Sequence, residues 1–149
     1  MILNYKRFNE SLSKYDIKYD VEDILIDLKD EGYSFSVTVS YDYKIYLFVK
    51  INGLNTFNGS YLKWKDIEEH ILRINDLVSD KFSPIRIYYK TVEKDGRVFN
   101  RNDRDTIRWT EFIDETPKIG LYVSSEIKRK DIKEKGLLYF SIEYEEKTI

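Results

Sequence analysis

Apolar residues recur at steps of three and four from Trp64 to about Asp80. Trp64, Ile67, Ile71, Ile74 and Val78 fall on one stripe, and the spacing predicts a helix. Leu72 and Leu77 are expected to widen that stripe. Asp66, Glu68 and Glu69 sit in or near the first turn, where the helix dipole favours negative charge. A second stripe, Val21, Ile24, Leu25 and Leu28, predicts another helix. Asp20 would open it as N-cap, with Asp23 three residues on as a shorter capping-box acid, and Gly32 would close it as a left-handed C-cap.

The period then changes to two. Tyr33, Phe35, Val37 and Val39 alternate with Ser34, Ser36, Thr38 and Ser40, which reads as a half-buried strand. A turn near Tyr41-Asp42 leads to a second strand over 43–51. Ile45, Leu47, Val49 and Ile51 share one face of it and Tyr46 and Phe48 the other, and the pair reads as an antiparallel hairpin. Asn52-Gly53 and Asn58-Gly59 are turn signals ahead of the Trp64 helix.

After Pro84 a strand is expected over 85–92, with Ile85, Ile87 and Tyr89 opposite in sense to Arg86, Tyr88 and Lys90. Lys94-Asp95-Gly96 would turn it into a return strand at 97–99. Residues 100–106 read as an exposed charged loop, and 107–113 fit either strand or helix. Pro117 precedes an expected strand over 119–125, and 126–136 reads as a loop or short helix. A closing strand is expected over 137–146, with Leu138, Phe140, Ile142 and Tyr144 on one face. The fold class is therefore α+β: a mostly antiparallel sheet with two main helices packed on one face, in the order α-β-β-α-β-β-β. Residues 1–19 read as an N-terminal arm and 20–149 as one domain.

Composition narrows the chemistry. The chain has 149 residues, 42% of them hydrophobic and 35% charged, which suits a single globular domain with a sizeable core. The formal net charge of -2, from 25 basic and 27 acidic residues, gives no global attraction to nucleic acid or to an anionic membrane. With no cysteine and one histidine, disulfides, thiolate ligands, cysteine nucleophiles and multi-histidine metal sites within the chain are excluded. The first residues have no apolar core or small-residue cleavage site of a secretory signal, and the longest apolar run, 45–49, is too short to span a bilayer. A cytoplasmic, membrane-free protein is expected. Alanine and glutamine are absent while Ile, Asn, Lys and Tyr are abundant, a bias of AT-rich coding.

Each candidate for chemistry meets a plainer reading. Arg97, Arg101, Arg104 and Arg108, with Trp109, could form a cationic, aromatic-edged surface for nucleic acid. Asp103 and Asp105 lie among them, however, so a solvated loop with internal ion pairs is the preferred reading and nucleic acid is not the expected partner. Asp103-Arg104-Asp105 has a spacing found in some magnesium sites, but no phosphate loop accompanies it. His70 lies at the margin of the apolar stripe and reads as a boundary residue rather than a general base. No nucleotide, hydrolase or zinc motif is present. No catalytic, metal-ligating or cofactor-binding residue is assigned, and no cofactor is expected. Tyr41, Tyr43, Tyr46, Tyr88 and Tyr89 lie on strands or turns, and several must face away from the helices. An exposed tyrosine face would suit a protein interface, with Phe8, Leu12 and Tyr15 of the arm beside Tyr41, Tyr43 and Tyr88 as its residues.

YKRFNESL at the start, then DILIDLKDEGYSFSV and YLKWKDIEEHILRI, together resemble small uncharacterised proteins of tailed bacteriophages with AT-rich genomes. The resemblance covers the first half of the chain and rests on structural punctuation, so it carries no active-site residues. It implies a phage product in the cytoplasm of an infected host or in the virion. The expected function is a non-enzymatic virion component of capsid, neck or tail that acts through protein contacts, with homo-oligomers allowed. The alternatives are a host-directed binding protein, such as an inhibitor of a defence system, and a nucleic-acid accessory.

Overall fold

The computed structural model describes residues 17–92, 105–116 and 123–148. The first element is a helix, α1, over residues 17–30. It already includes Ile17, which packs against the core, so the apolar stripe extends a turn before the expected Asp20 cap. Residues 17–19 therefore belong to α1 and not to an arm. Its end is as expected: Gly32 takes φ 107°, Tyr33 N donates to Leu28 O at 2.9 Å, and Gly32 N donates to Lys29 O at 3.1 Å. This Schellman pair satisfies the last carbonyls and turns the chain straight into the sheet.

Strands β1 (Phe35–Tyr41) and β2 (Ile45–Asn52) form the hairpin. Helix α2 (Trp64–Val78) follows, with Trp64, Ile67, Ile71, Ile74 and Val78 all buried. Its first turn is closed by Lys63 N donating to the Asp66 carboxylate at 3.2 Å. Leu72 and Leu77 do not widen the buried stripe. They are 49% and 42% exposed, because each sits about 100° around the helix from a core position and no described neighbour covers it.

Strand β3 (Phe82–Thr91) runs through Pro84, where the register with β5 shifts. Strand β4 (Asp105–Arg108) leads directly into the one-turn helix α3 (Trp109–Ile113), which resolves the ambiguous 107–113 segment into both forms. Asp105 and Thr106 are strand, not loop. Helix α4 (Val123–Glu134) replaces the last residues of the strand expected at 119–125, and β5 (Leu137–Glu146) closes the chain. The expected turn at 94–96 and return strand at 97–99 lie outside the described residues.

The sheet order is β1-β2-β5-β3-β4, antiparallel at every pairing. The last strand in the chain is thus the central one. Strands β2 and β3 both pair with β5, so they run parallel to each other, joined over the sheet by α2 as a split β-α-β unit. Register fixes the faces. Val37, Val49, Ile142, Ile87 and Ile107 form one continuous row across all the strands, and all five are buried. The buried residues of the helices join the same core, including Val21, Leu25 and Leu28 of α1 and Ile132 of α4. The helices therefore cover one face, as an α+β fold requires.

A backbone junction holds α2 in place. Gly53 N donates to Leu138 O at 2.8 Å, Leu62 N to Gly53 O at 2.7 Å, and Leu137 N to Leu62 O at 2.8 Å. A Cβ at position 53 would lie 1.7 Å from Leu137 O, so only glycine allows the approach. Gly53→Ala is expected to cost about 3 kcal/mol or more, because main chain must move. At Gly59, where φ is +73° but nothing lies within 4 Å, alanine should cost about 1 kcal/mol. Urea unfolding of the two variants beside the parent protein checks the difference.

Candidate functional site

The second face of the sheet carries no described helix. Its positions follow from the register: Ser36, Thr38 and Ser40 on β1, Tyr46, Phe48 and Lys50 on β2, and Tyr139, Ser141, Glu143 and Glu145 on β5. Arg86, Tyr88 and Lys90 continue it on β3, and Thr106 and Arg108 on β4. An antiparallel sheet can leave one face to water, but such faces are ordinarily polar. This one is aromatic and basic. Tyr46 and Phe48 lie 6.4 Å apart between ring centroids, and the Lys50 ammonium stands 5.0 Å over the Tyr139 ring. Arg86 and Arg108 are direct cross-strand partners.

The acids on this face are already engaged. Tyr88 donates its hydroxyl to Glu143 at 2.8 Å, and the Lys44 ammonium donates to Glu145 at 2.8 Å. Partial burial, then the bond to the Glu143 carboxylate, raise the Tyr88 phenol above its ordinary range. Glu143 keeps its charge beside a neutral phenol and is the cross-strand partner of Arg86, so the basic character of this side comes from Lys44, Lys50, Arg86 and Arg108 together against Glu143 and Glu145, on a protein whose net charge is negative. Lys90 shares the register but is buried.

Among the expected interface residues, Tyr41 and Tyr43 flank and form the β1–β2 turn and are 60% and 101% exposed. Tyr88 lies on the uncovered face, half-buried. Phe8, Leu12 and Tyr15 lie outside the described residues.

Of the possible cationic cluster only Arg108 and Trp109 lie among the described residues. Arg97, Arg101 and Arg104 lie outside the described residues, and so does Asp103. Trp109 is buried, 5.7 Å from the Phe112 ring, because the chain turns from β4 into α3 at that point and points the indole into the core. It cannot edge a solvent-facing surface. Arg108 is exposed, beside Arg86 rather than on a helix with the other arginines. The residues that the linear reading missed, Arg86, Phe48, Lys50 and Tyr139, come together only through β5 insertion. Their signal was the polar phase of each strand, which is aromatic where serine or threonine would suffice.

Other chemistry-bearing residues are structural. His70 Nε2 lies 2.9 Å from both Asp27 carboxylate oxygens, tying α2 to α1, while Nδ1 is buried without a partner among the described residues. Nε2 is engaged by Asp27 and Nδ1 is shut off from solvent. Tyr89, counted among the strand tyrosines, is buried on the helix-covered face, as is Tyr144, whose hydroxyl donates to Asn75 Oδ1 at 2.5 Å. Among the described residues no group of three or more His, Cys, Asp or Glu is placed to hold a metal ion, and no helix is long and apolar enough to cross a membrane.

Burial raises both the Tyr144 and the Tyr89 phenols far above their ordinary value, with Asp105 and Asp131 adding to the rise at Tyr89. The unfolded chain releases these protons near pH 10 and the folded chain keeps them. Stability should be fully present below about pH 10 and fall as pH rises beyond it. Phenolate absorbance followed through an alkaline titration should show a last, cooperative step coincident with loss of the helical circular dichroism. Tyr144→Phe should weaken the pH dependence of that step.

No family model matches the chain, and no curated protein and no solved structure matches it.

Proposed function

We propose that the protein is a non-enzymatic bacteriophage protein that works through protein contacts, as a component or accessory of the virion. The observation that carries the reading is the uncovered sheet face, where aromatic rings and an excess of positive charge stand together on a rigid support. Large aromatic residues and arginine are the side chains that supply most binding free energy in protein interfaces. The fully exposed Tyr43 at the adjoining turn extends this surface. The resemblance of the first half of the chain to small phage proteins supports the phage context. An excess of positive charge fits a partner surface with an excess of acids.

A second reading is favoured by one specific feature: aromatic rings beside cations on an open sheet can also stack bases of single-stranded nucleic acid. Its contacts would be Arg86 and Arg108 with Tyr46, Phe48 and Tyr88.

A photo-crosslinking residue placed at position 43 or 88, in the full chain produced during infection, tests the first reading. Crosslinks to a protein of purified particles are expected, reduced about tenfold or more by the double variant Arg86→Glu/Arg108→Glu. Absence of the chain from purified particles would overturn the virion assignment. Fluorescence anisotropy with a single-stranded oligonucleotide at low and high salt tests the second. A signal that does not change with protein concentration at low salt overturns it.

A further inference from the structure

The two edges of the sheet are built differently. Strand β4 closes one edge with four residues, bearing the charged Asp105 and Arg108. Short length and charge are the usual devices that keep an edge from pairing with another chain. Strand β1, at the other edge, has neither. Its seven residues, Phe35–Tyr41, contain no charge and no proline, and its pairing with β2 runs from Phe35↔Ile51 to Tyr41↔Ile45 without a bulge. Among the described residues nothing pairs with its outer side.

The sequence of that edge, FSVTVSY, reads almost the same in both directions. Antiparallel pairing of two copies about Thr38 sets Thr38 against Thr38, Val37 against Val39, Ser36 against Ser40 and Phe35 against Tyr41. Hydroxyls then meet hydroxyls on the uncovered face, and valines and aromatic rings meet their like on the helix-covered face. Pairs of β-branched residues and of threonines are favourable cross-strand neighbours, and no like charges oppose each other.

Asp27 of α1 reaches His70 on α2, and α2 packs on α4, so α1 is the helix nearest the β1 edge. Its exposed Tyr19 and Ile26 lie opposite Val21, Leu25 and Leu28 on the solvent-facing stripe and take no part in the pairing.

We infer that the β1 edge is the interface of a two-fold symmetric homodimer, in which the sheets of two copies join through antiparallel β1–β1 pairing centred on Thr38. Such an interface is isologous and closed: each copy uses its β1 once, and the blunted β4 edge stops further growth. The inferred interface rests on the main-chain edge and register of β1 and uses none of Tyr43, Tyr46, Phe48, Arg86, Tyr88 or Arg108, although Ser36, Thr38 and Ser40 border that face and Tyr41 flanks the turn.

Sedimentation velocity of the full chain over a concentration series tests it, together with the variants Thr38→Lys and Thr38→Glu. Position 38 is exposed, so both variants should fold, as far-ultraviolet circular dichroism will report. The parent protein should reach a species of twice 18.0 kDa and none larger. Each variant alone should dissociate at concentrations about tenfold higher or more, because like charges meet at the symmetry axis. An equimolar mixture of the two should recover the dimer, since an ammonium on one copy would then face a carboxylate on the other. Thr106→Lys on β4 should leave the dimer unchanged. A parent chain that stays monomeric throughout, as it would if its own residues 1–16 covered the edge, overturns the inference. So does an unaltered dimer in Thr38→Lys, or a mixture that does not associate.

Discussion

Trp64 meets Phe112 edge-on at 5.0 Å between ring centroids and leans on Phe140 at 5.5 Å. That single side chain links the start of α2 to α3 and to the central strand β5. The packing is possible only because Gly53 lets the chain before α2 touch the start of β5, where Leu62 and Leu137 also pair. The first turn of α2 is thereby fixed over the middle of the sheet. Every later core residue of the helix then falls on the same face. The described helices all lie on that face, and the candidate site lies on the other.

The parts of this arrangement that were legible in the sequence are those with a strong period and local closure. The α2 stripe, the Gly32 cap, the alternation in β1 and β2 and the long apolar alternation of β5 all state their structure within a few residues. The rest depends on partners far away. Strand β4 has only four residues, and Ile107 is buried because β3 lies beside it, which no local pattern reveals. Helix α4 is polar, with Ile132 as its buried anchor, so its period is too sparse to read. Leu72 and Leu77 looked like core from spacing alone, and only the width of the covering contact decides against them.

The candidate site was less legible than the fold for the same reason. Of the thirteen tyrosines, Tyr33, Tyr89 and Tyr144 are core, Tyr46, Tyr88 and Tyr139 face outward, and Tyr41 and Tyr43 mark the turn. Composition cannot sort these, and strand phase sorts them only once the order of strands is known. Because β5 inserts between β2 and β3, Lys50 comes to Tyr139 and Tyr88 to Glu143 across large separations in sequence. The arginine spacing at 97–108 allowed a cationic surface edged by Trp109 beside the preferred reading of a solvated loop, and the burial of Trp109 removes that aromatic edge.

Charge is divided between the two layers of the molecule. Helix α1 carries Asp20, Glu22, Asp23, Asp27 and Asp30 against Lys18 and Lys29, and α2 carries Asp66, Glu68, Glu69 and Asp76 against Lys65 and Arg73. The second sheet face and its adjoining turn hold Lys44, Lys50, Arg86 and Arg108 against Glu143 and Glu145. Helix α4 is net basic, with Lys128, Arg129, Lys130 and Lys133 against Glu126, Asp131 and Glu134, so the acidic excess of the helical layer lies on α1 and α2. Such a division orients an encounter: an acidic partner is attracted to the sheet and repelled by α1 and α2. Salt screens the long-range part of that steering over about 8 Å at physiological strength, while stacked rings and directly bonded arginines are affected far less. Binding at this face should then lose association rate with salt sooner than it loses lifetime, which separates a docked interface from a purely electrostatic one.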